Sequence, residues 1–309
     1  MRARRPVHPR RAGLVAAGLL LAAGLAAASA QAPAPAPQHP SPMSDTTRPH
    51  PRVVASPPRG TRQPVRGGTL FLPDGLRGGR LPLVIHFHGA PWLIERHVAS
   101  GRPRAALLTF DLGSGSAVYG RAFATPDEFP ALLEEARTAA ATRLGRPVSF
   151  HPVVLTSFSA GYGAVRAILR TPAAYDRVSS VVLADSLHAD YVGDAGTARS
   201  ADLPVDEADL DVFLRLAADA AAGRKRFLVT HSEVYPGTYA STTETADALL
   251  RAAGVARARQ LREGPIGMQQ LSATGRGRFR VLGFAGNSAP DHLDHLYALG
   301  AWLPDAIAR

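Results

Sequence analysis

The sequence predicts an α/β fold: a single doubly wound, mostly parallel sheet with helices on both faces. Between residues 65 and 309, short apolar runs alternate with longer segments that carry helix start and stop signals. The runs are largely continuous rather than alternating, as in the Leu-Val-Ile-His-Phe of residues 83–87. Continuous apolar strands that alternate with helices are typical of parallel sheets buried on both faces.

The individual elements follow from these signals. Strands are predicted at 69–72, 83–87, 105–110, 153–156, 178–184, 227–230 and 279–284. Helices are predicted from Thr125 to Gly145, at 160–169, at 207–222, from Ser241 to Gly254 and at 291–307. Thr125 with Glu128, and Ser241 with Glu244, have the spacing of capping boxes, in which side chains and backbone N–H groups satisfy each other.

The composition excludes several classes of site. Hydrophobic residues make up 46% of the chain, which is enough for a sizeable core. There is no cysteine, so disulfides, zinc–thiolate sites, iron–sulfur clusters and a cysteine nucleophile are excluded. No phosphate-binding glycine motif follows the first strands, so no cofactor is predicted. His86 and His88 lie on one strand face, but no carboxylate cluster accompanies them and no metal is predicted.

The N-terminus predicts an exported protein. Arginines are concentrated in residues 1–11, an apolar run follows, and Ala28-Ser29-Ala30 has the small-x-small pattern of a cleavage site. We therefore expect a signal peptide at 1–30, a Pro-rich disordered leader at 31–64, a folded domain at 65–309 and a secreted or periplasmic location. No stable membrane insertion is expected after cleavage. The net charge of +10 comes partly from these arginines, and no nucleic-acid partner is predicted.

The most specific motif lies at residues 153–161, where a buried strand runs through Ser-Phe-Ser-Ala-Gly directly into a helix. A tight strand-to-helix turn of this kind exposes its central hydroxyl, here that of Ser159, at the carboxyl end of the sheet. The helix N-terminus and the backbone N–H of Ala160 would then face an oxyanion formed on a substrate. The common pattern has glycine two residues before the nucleophile, where this chain has Ser157.

A second motif, residues 83–92, ends a strand with His88-Gly89-Ala90 ahead of the serine motif. Because Gly89 has no side chain, backbone can approach a substrate here, and the N–H of Gly89 or Ala90 is the expected second oxyanion donor. Four aromatic residues are candidates for the wall of a substrate pocket, with ordinary packing as the alternative for each. They are Trp92, Tyr162, Tyr191 and Tyr239.

With these motifs, residues 65–309 resemble the α/β-hydrolase superfamily. The resemblance rests on the His88-Gly89 strand, the turn at 157–161 and a histidine after the last strand. It implies a nucleophile, an acid and a histidine in that chain order, a small-molecule acyl substrate and no cofactor. It also implies the α/β-hydrolase fold. In this chain the lid over the site would be minimal and formed by the polar, glycine-rich loop at 187–206.

Two histidines follow the last strand, His292 and His295, spaced to lie on one helical face. The resemblance implies that one of them is the general base. We favour His292, which is nearer the loop, and keep His295 as the alternative.

The acid also has two candidates. Asp185 ends the sixth strand, next to the strand of Ser159, and a carboxylate buried there would need a partner such as an imidazole N–H. Glu233 follows the seventh strand, which is the commoner position in the superfamily. We favour Asp185 and keep Glu233 open.

The sequence therefore predicts a serine hydrolase that cleaves an acyl bond, most simply a carboxylic ester. The alternatives are a peptidase or amidase of the same fold, and a non-catalytic, hydrolase-like binding protein. The identity of the substrate and the oligomeric state are left open by the sequence.

Overall fold

A computed structural model describes residues 55–101, 104–193 and 203–308 of the 309. The predicted signal peptide and residues 31–54 of the predicted leader lie outside the described residues. Among the described residues, none of the helices combines the length and the hydrophobicity that a membrane-spanning segment requires.

The described residues form one ten-stranded sheet, with the spatial order β1-β2-β4-β3-β5-β6-β7-β10-β9-β8. The strands are β1 (Gly60–Val65), β2 (Gly68–Pro73), β3 (Arg80–Phe87), β4 (Ala106–Phe110), β5 (Ser149–Phe158), β6 (Ser180–Ala184), β7 (Arg226–His231), β8 (Arg259–Glu263), β9 (Gln269–Arg276) and β10 (Phe279–Phe284). The six central strands are parallel to one another, and in spatial order they are β4, β3, β5, β6, β7 and β10. Antiparallel strands flank them at both edges. All seven predicted strands are present, and the predicted fold class is confirmed.

Helices cover both faces of this sheet. They are α1 (Pro91–Ser100), α2 (Ser116–Ala122), α3 (Glu128–Leu144), α4 (Tyr162–Arg170), α5 (Pro172–Arg177), α6 (Asp211–Ala221), α7 (Thr242–Ala252) and α8 (Ala289–Ile307). Residues of α1 and α8 belong to one hydrophobic cluster, and residues of α2 to α7 belong to another. In β3, Val84 joins the first cluster while Leu83 and Ile85 join the second. The continuous apolar strands of the sequence therefore serve two cores, one on each face.

The outer strands were not predicted from the sequence. β8 and β9 lie at one edge, and β8 reads Arg-Gln-Leu-Arg-Glu, with most of its residues exposed. A polar edge strand carries no burial pattern, so hydrophobicity does not reveal it. At the other edge, β1 begins at Gly60, five residues before the expected start of the folded domain at Val65. β1 pairs along its length with β2, so residues 60–64 belong to the sheet rather than to a leader.

The helix signals differ in their outcome. Ser241 and Glu244 form the predicted capping box at the start of α7, and Gly145 ends α3 in the left-handed conformation. The predicted box at Thr125 is wrong, because α3 begins at Glu128 and its N-cap residue is Asp127, in helical conformation and without a side-chain cap. Thr125 is instead the first residue of a backbone turn, in which its carbonyl oxygen accepts a hydrogen bond from the N–H of Glu128.

Candidate active site

Three neighbouring parallel strands each run, at their carboxyl ends, into a residue with left-handed backbone. These residues are His88 (φ 71°) after β3, Ser159 (φ 47°) after β5 and Asp185 (φ 44°) after β6. A positive φ is costly for residues other than glycine and is found where the surrounding structure imposes it, often at functional sites. The carboxyl edge of the sheet therefore has three tight turns side by side, and all three carry residues singled out from the sequence.

The turn at Ser159 has the predicted strand-to-helix form. Residues Ser159–Gly161 form a single 3-10 turn that leads into α4. A Cβ atom on Gly161 would lie 2.1 Å from the carbonyl oxygen of Phe87 in β3, so only glycine allows this close approach. The turn is thereby packed against β3, and the side chain of Ser159 is half-buried rather than enclosed.

Ser157, the rival nucleophile in the motif, is fully buried and tied into a hydrogen-bond chain. The hydroxyl of Ser186 donates to the carbonyl of Ser159 at 2.7 Å. The hydroxyl of Ser157 therefore donates to Ser186 Oγ, at 2.8 Å. These bonds connect the turn after β6 to the turn after β5. The hydroxyl of Ser157 has a structural partner and does not face a substrate.

Asp185 is 1% exposed and is held by several donors. Its Oδ1 accepts from the backbone N–H of Ser232 at 2.8 Å and from the hydroxyl of Thr242 at 2.5 Å. Its Oδ2 accepts from the hydroxyl of Ser232 at 2.6 Å and lies 2.6 Å from His292 Nδ1. A buried carboxylate is tolerated only when its oxygens are satisfied in this way.

The same contacts explain why Asp185 stays ionised. Burial by itself raises the pKa of a carboxyl group, because it disfavours the charged form. Here the charge interactions with His295 and His292 and the hydrogen bonds from His292 and Ser232 outweigh burial, and the pKa of Asp185 lies well below its usual range. A carboxylate faces Nδ1 of His292 at neutral pH, so Nδ1 carries the proton and Nε2 is the free acceptor.

The imidazole of His292 lies beside the serine turn. Its ring centroid is 4.4 Å from that of Phe158, the residue immediately before Ser159. Ser159 Oγ makes no hydrogen bond to His292 or to another residue within the described ranges. Catalytic hydrogen bonds are often long before substrate binds, so this gap is compatible with a nucleophile–base pair. The structure thus brings Asp185 and His292 into contact, and places His292 against Phe158, the residue before Ser159.

The two alternative residues occupy different environments. His295 is fully buried one turn further along α8, and its Nδ1 lies 2.6 Å from the hydroxyl of Thr230. Burial lowers the pKa of His295 to about 4, although Asp185 opposes this shift. Glu233 is bonded to the loop before α8, where its carboxylate accepts from the N–H of Gly286 at 3.3 Å. Neither His295 nor Glu233 takes part in the contact between Asp185 and His292. His295 lies on the same helix as His292, and Glu233 contacts the loop before that helix.

A buried histidine orients the peptide that carries the N–H of Gly89, a candidate for the second oxyanion donor. His86 Nε2 lies 2.7 Å from the carbonyl oxygen of His88, and His86 Nδ1 lies 2.8 Å from the hydroxyl of Thr156. Burial lowers the pKa of His86 to about 3, so the ring is neutral and its single proton is donated to the carbonyl. In a planar trans peptide the C=O and N–H groups point in opposite directions. The N–H of Gly89 therefore points away from His86.

The remaining predicted residues have distinct places. Ala160 lies within the 3-10 turn, where the first N–H groups of a helix have no partner inside it. Ala90 is the N-cap of α1, and its carbonyl accepts from the N–H of Leu93. Trp92 is partly buried against the α1–α8 cluster, so its role in substrate binding stays a prediction. Tyr191 is 8% exposed, and its hydroxyl donates to the carboxylate of Glu244.

Several residues around the site were missed from the sequence. Ser232 and Thr242 hold Asp185, but a lone serine or threonine in a loop or helix start carries no signal of such a role. His188, which the sequence did not single out, lies between Tyr162 and Tyr239. His88, part of the predicted His88-Gly89-Ala90 motif, stacks on Phe158 with nearly parallel rings. Burial lowers the pKa of both histidines. In the sequence, the position of His188 shortly after the strand β6 is the only sign of its place near the site.

The loop predicted to form the lid is described only at its ends. Tyr191 and Val205 form an antiparallel bridge, and the N–H of Val192 donates to the carbonyl of Pro204. Residues 194–202, between them, lie outside the described residues. Where the chain is described, no group of three or more acidic or histidine residues is arranged to hold a metal ion.

Comparison with known proteins gives the following result. No protein-family model and no curated protein sequence matches this chain. The chain is similar to the crystal structure of TT1662 from Thermus thermophilus, with a TM-score of 0.43 and 17% identity over 81% of this chain and 99% of that chain. It is also similar to a fungal esterase from Rhizomucor miehei, with a TM-score of 0.40 and 17% identity over 77% of each chain. The sheet of the present chain has the strand order of an α/β-hydrolase fold, with the serine turn directly after β5.

Proposed function

We propose that this protein is a serine hydrolase that cleaves an acyl bond, most simply that of a carboxylic ester. The observation that carries the proposal is the 2.6 Å contact between Asp185 and His292 beside the left-handed turn of Ser159. A buried carboxylate that fixes one imidazole nitrogen leaves the other free to accept the proton of a nearby hydroxyl. Ser159 is the hydroxyl that the turn exposes at this edge.

In the proposed mechanism, Ser159 Oγ attacks the acyl carbonyl while Nε2 of His292 takes its proton. The negative charge on the carbonyl oxygen is stabilised by the N–H groups of Ala160 and Gly89. His292 then returns the proton to the leaving alcohol, and an acyl-enzyme remains. Water, activated by the same nitrogen, hydrolyses this ester and regenerates Ser159. Asp185 stays ionised throughout and stabilises the imidazolium.

The test is covalent labelling by a fluorophosphonate probe together with hydrolysis of 4-nitrophenyl acetate. Wild type should be labelled and active, and Ser159→Ala should lose both, with a loss in kcat on the order of 10⁶-fold if it matches a well-studied serine hydrolase. Ser157→Ala is the matched control, since the buried hydroxyl of Ser157 donates only to Ser186. Circular dichroism checks that each variant is folded.

The outcomes separate the alternatives. Absence of labelling and of turnover in a folded wild-type protein would favour the hydrolase-like binding protein. Labelling that survives in Ser159→Ala and disappears in Ser157→Ala would move the nucleophile to Ser157. Turnover of 4-nitroanilides as fast as that of esters would favour a peptidase or amidase.

We further propose that the protein is exported and that its mature chain begins near Gln31. The support is the basic segment, the apolar run and the Ala28-Ser29-Ala30 pattern. Mass spectrometry of protein recovered from outside the cytoplasm should show the new N-terminus. An intact residue 1 in that material would contradict the proposal.

A further inference from the structure

We propose that His188 binds a hydrogen-bond donor of the substrate, a hydroxyl or an N–H group, beside the reacting carbonyl. The inference rests on the proposed hydrolase function and names a chemical feature of its substrate. His188 lies between two tyrosine rings, with ring centroids 5.9 Å from Tyr162 and 4.9 Å from Tyr239, both in edge-to-face geometry. We call the site formed by these three side chains the His188 recess.

The tautomer of His188 is set by the backbone. Its Nδ1 lies 2.9 Å from the carbonyl oxygen of Ala240. A carbonyl oxygen can only accept, so Nδ1 carries the proton and Nε2 presents a lone pair. Among the described residues, no donor is bonded to Nε2. The imidazole is therefore held as an acceptor whose partner is not supplied by this part of the chain.

Burial keeps the ring in this form. It lowers the pKa of His188, although the hydrogen bond to Ala240 and the charges of Asp185 and Glu244 oppose this shift. His292 acts in the same direction as burial. The ring is consequently neutral at pH 7, and its Nε2 accepts rather than donates.

Connections through the backbone place the recess next to the nucleophile. Ser186, two residues before His188, donates its hydroxyl to the carbonyl of Ser159. Tyr162, on the other side, is the first residue of α4 and follows Ser159 by three positions. Tyr239, in the loop that follows β7, is 40% exposed, so its side of the His188 recess reaches the protein surface.

His188 is not an alternative general base. Its Nδ1 is bonded to a backbone carbonyl, whereas the Nδ1 of His292 is bonded to the carboxylate of Asp185. A neutral carbonyl stabilises an imidazolium far less than a carboxylate does. A fixed acceptor beside the nucleophile is suited to recognition instead. Sites that hydrogen-bond a substrate hydroxyl discriminate strongly against analogues that lack it, because a buried polar group is then left unpaired.

The donor can belong to either half of an ester, and matched substrate pairs separate the two cases. For the acyl half, the pair is 4-nitrophenyl butyrate and 4-nitrophenyl 3-hydroxybutyrate. For the alcohol half, it is propyl butyrate and 2,3-dihydroxypropyl butyrate. The measured quantity is the ratio of kcat/KM for the hydroxylated ester to kcat/KM for the plain ester, in wild type and in two variants.

His188→Phe keeps an aromatic ring between the tyrosines but removes the acceptor. His188→Gln keeps an acceptor oxygen near the position of Nε2. We expect wild type to prefer the hydroxylated ester in one pair. In that pair we expect His188→Phe to lower the ratio by about tenfold, the value of one hydrogen bond, and His188→Gln to retain most of it.

Two results would overturn the inference. One is a wild type with no preference in either pair, and the other is a ratio that is the same in wild type and His188→Phe. Either can occur in an enzyme that is labelled by the fluorophosphonate probe, so the failure of this inference is distinct from failure of the proposed function. Absence of both labelling and turnover would instead reject the hydrolase itself.

Discussion

The Nδ1 atom of His292 lies 2.6 Å from Oδ2 of Asp185, although 107 positions separate the two residues in the chain. The remaining lone pairs of the carboxylate are occupied by donors from Ser232 and Thr242. Asp185 is therefore fixed from the side of β7 and α7, while His292 approaches it from α8. These bonds give the carboxylate of Asp185 a single orientation, and the carboxylate in turn fixes the orientation of the imidazole of His292.

Asp185→Asn should abolish most of the activity while Glu233→Gln retains it. An amide at position 185 can donate to Nδ1 of His292 and thus favour the wrong tautomer, an effect that lowers kcat on the order of 10⁴-fold in a well-studied triad. Glu233 contacts the loop at Gly286 rather than the imidazole, so its variant is the matched carboxylate control. Steady-state kinetics with 4-nitrophenyl acetate measures both. The reverse pattern, activity lost in Glu233→Gln and kept in Asp185→Asn, would reassign the acid.

His86→Leu should lower kcat more than it raises KM. Without the bond from His86 to the carbonyl of His88, the peptide that carries the N–H of Gly89 is free to rotate. Loss of one oxyanion donor costs about 10²- to 10³-fold in kcat. His86→Gln, whose amide can still donate to that carbonyl, should retain more activity. A folded His86→Leu protein with unchanged kcat would contradict the role of this peptide.

Phe158→Leu should lower kcat several-fold. The ring of Phe158 lies 4.4 Å from that of His292, and the face of an aromatic ring stabilises a cation by about 0.5–2 kcal/mol. Without this ring, the imidazolium that forms when His292 takes the proton of Ser159 loses that support. Phe158→Tyr keeps the aromatic face and should behave like wild type in steady-state kinetics with 4-nitrophenyl acetate. An unchanged kcat in a folded Phe158→Leu protein would exclude this interaction.

The protein should lose stability steeply as the pH falls from about 6.5 to about 4. Burial lowers the pKa of His97, His231 and His295 to about 4, and that of His86 to about 3. In this window the unfolded chain takes up protons that the folded protein does not bind, so the free energy of unfolding decreases as protons are added. Each unit by which a histidine pKa is lowered corresponds to about 1.4 kcal/mol.

Urea unfolding at pH 7.5 and pH 4.5 measures this loss. His97→Gln removes one half-buried histidine away from the proposed active site. Its loss of stability between the two pH values should be smaller than that of wild type by at least about 1 kcal/mol. Equal losses in the two proteins would show that His97 binds its proton in the folded state as readily as in the unfolded state.

Features that depend on residues close together in the chain could be predicted from the sequence. The strand, the serine turn and the helix after it lie within about ten residues around Ser159, and small side chains at fixed spacing reveal them. The close contact between Gly161 and Phe87 is the physical reason for the last glycine of that motif. The central strands were predictable for a similar reason, since burial on both faces makes each of them continuously apolar. The polar edge strand β8 lacks that signal.

Only the tertiary structure decided between residues that share one local pattern. His292 and His295 lie on the same helix face, but His292 reaches Asp185, whereas His295, one turn deeper, meets Thr230. Asp185 and Glu233 both follow strands, yet the donors of Ser232 and Thr242 converge on Asp185. The tautomers of His86 and His188 are likewise set by the carbonyls of His88 and Ala240. Such choices depend on distances of a few ångströms between segments that lie far apart in the chain, and the folding of the sheet and helices sets those distances.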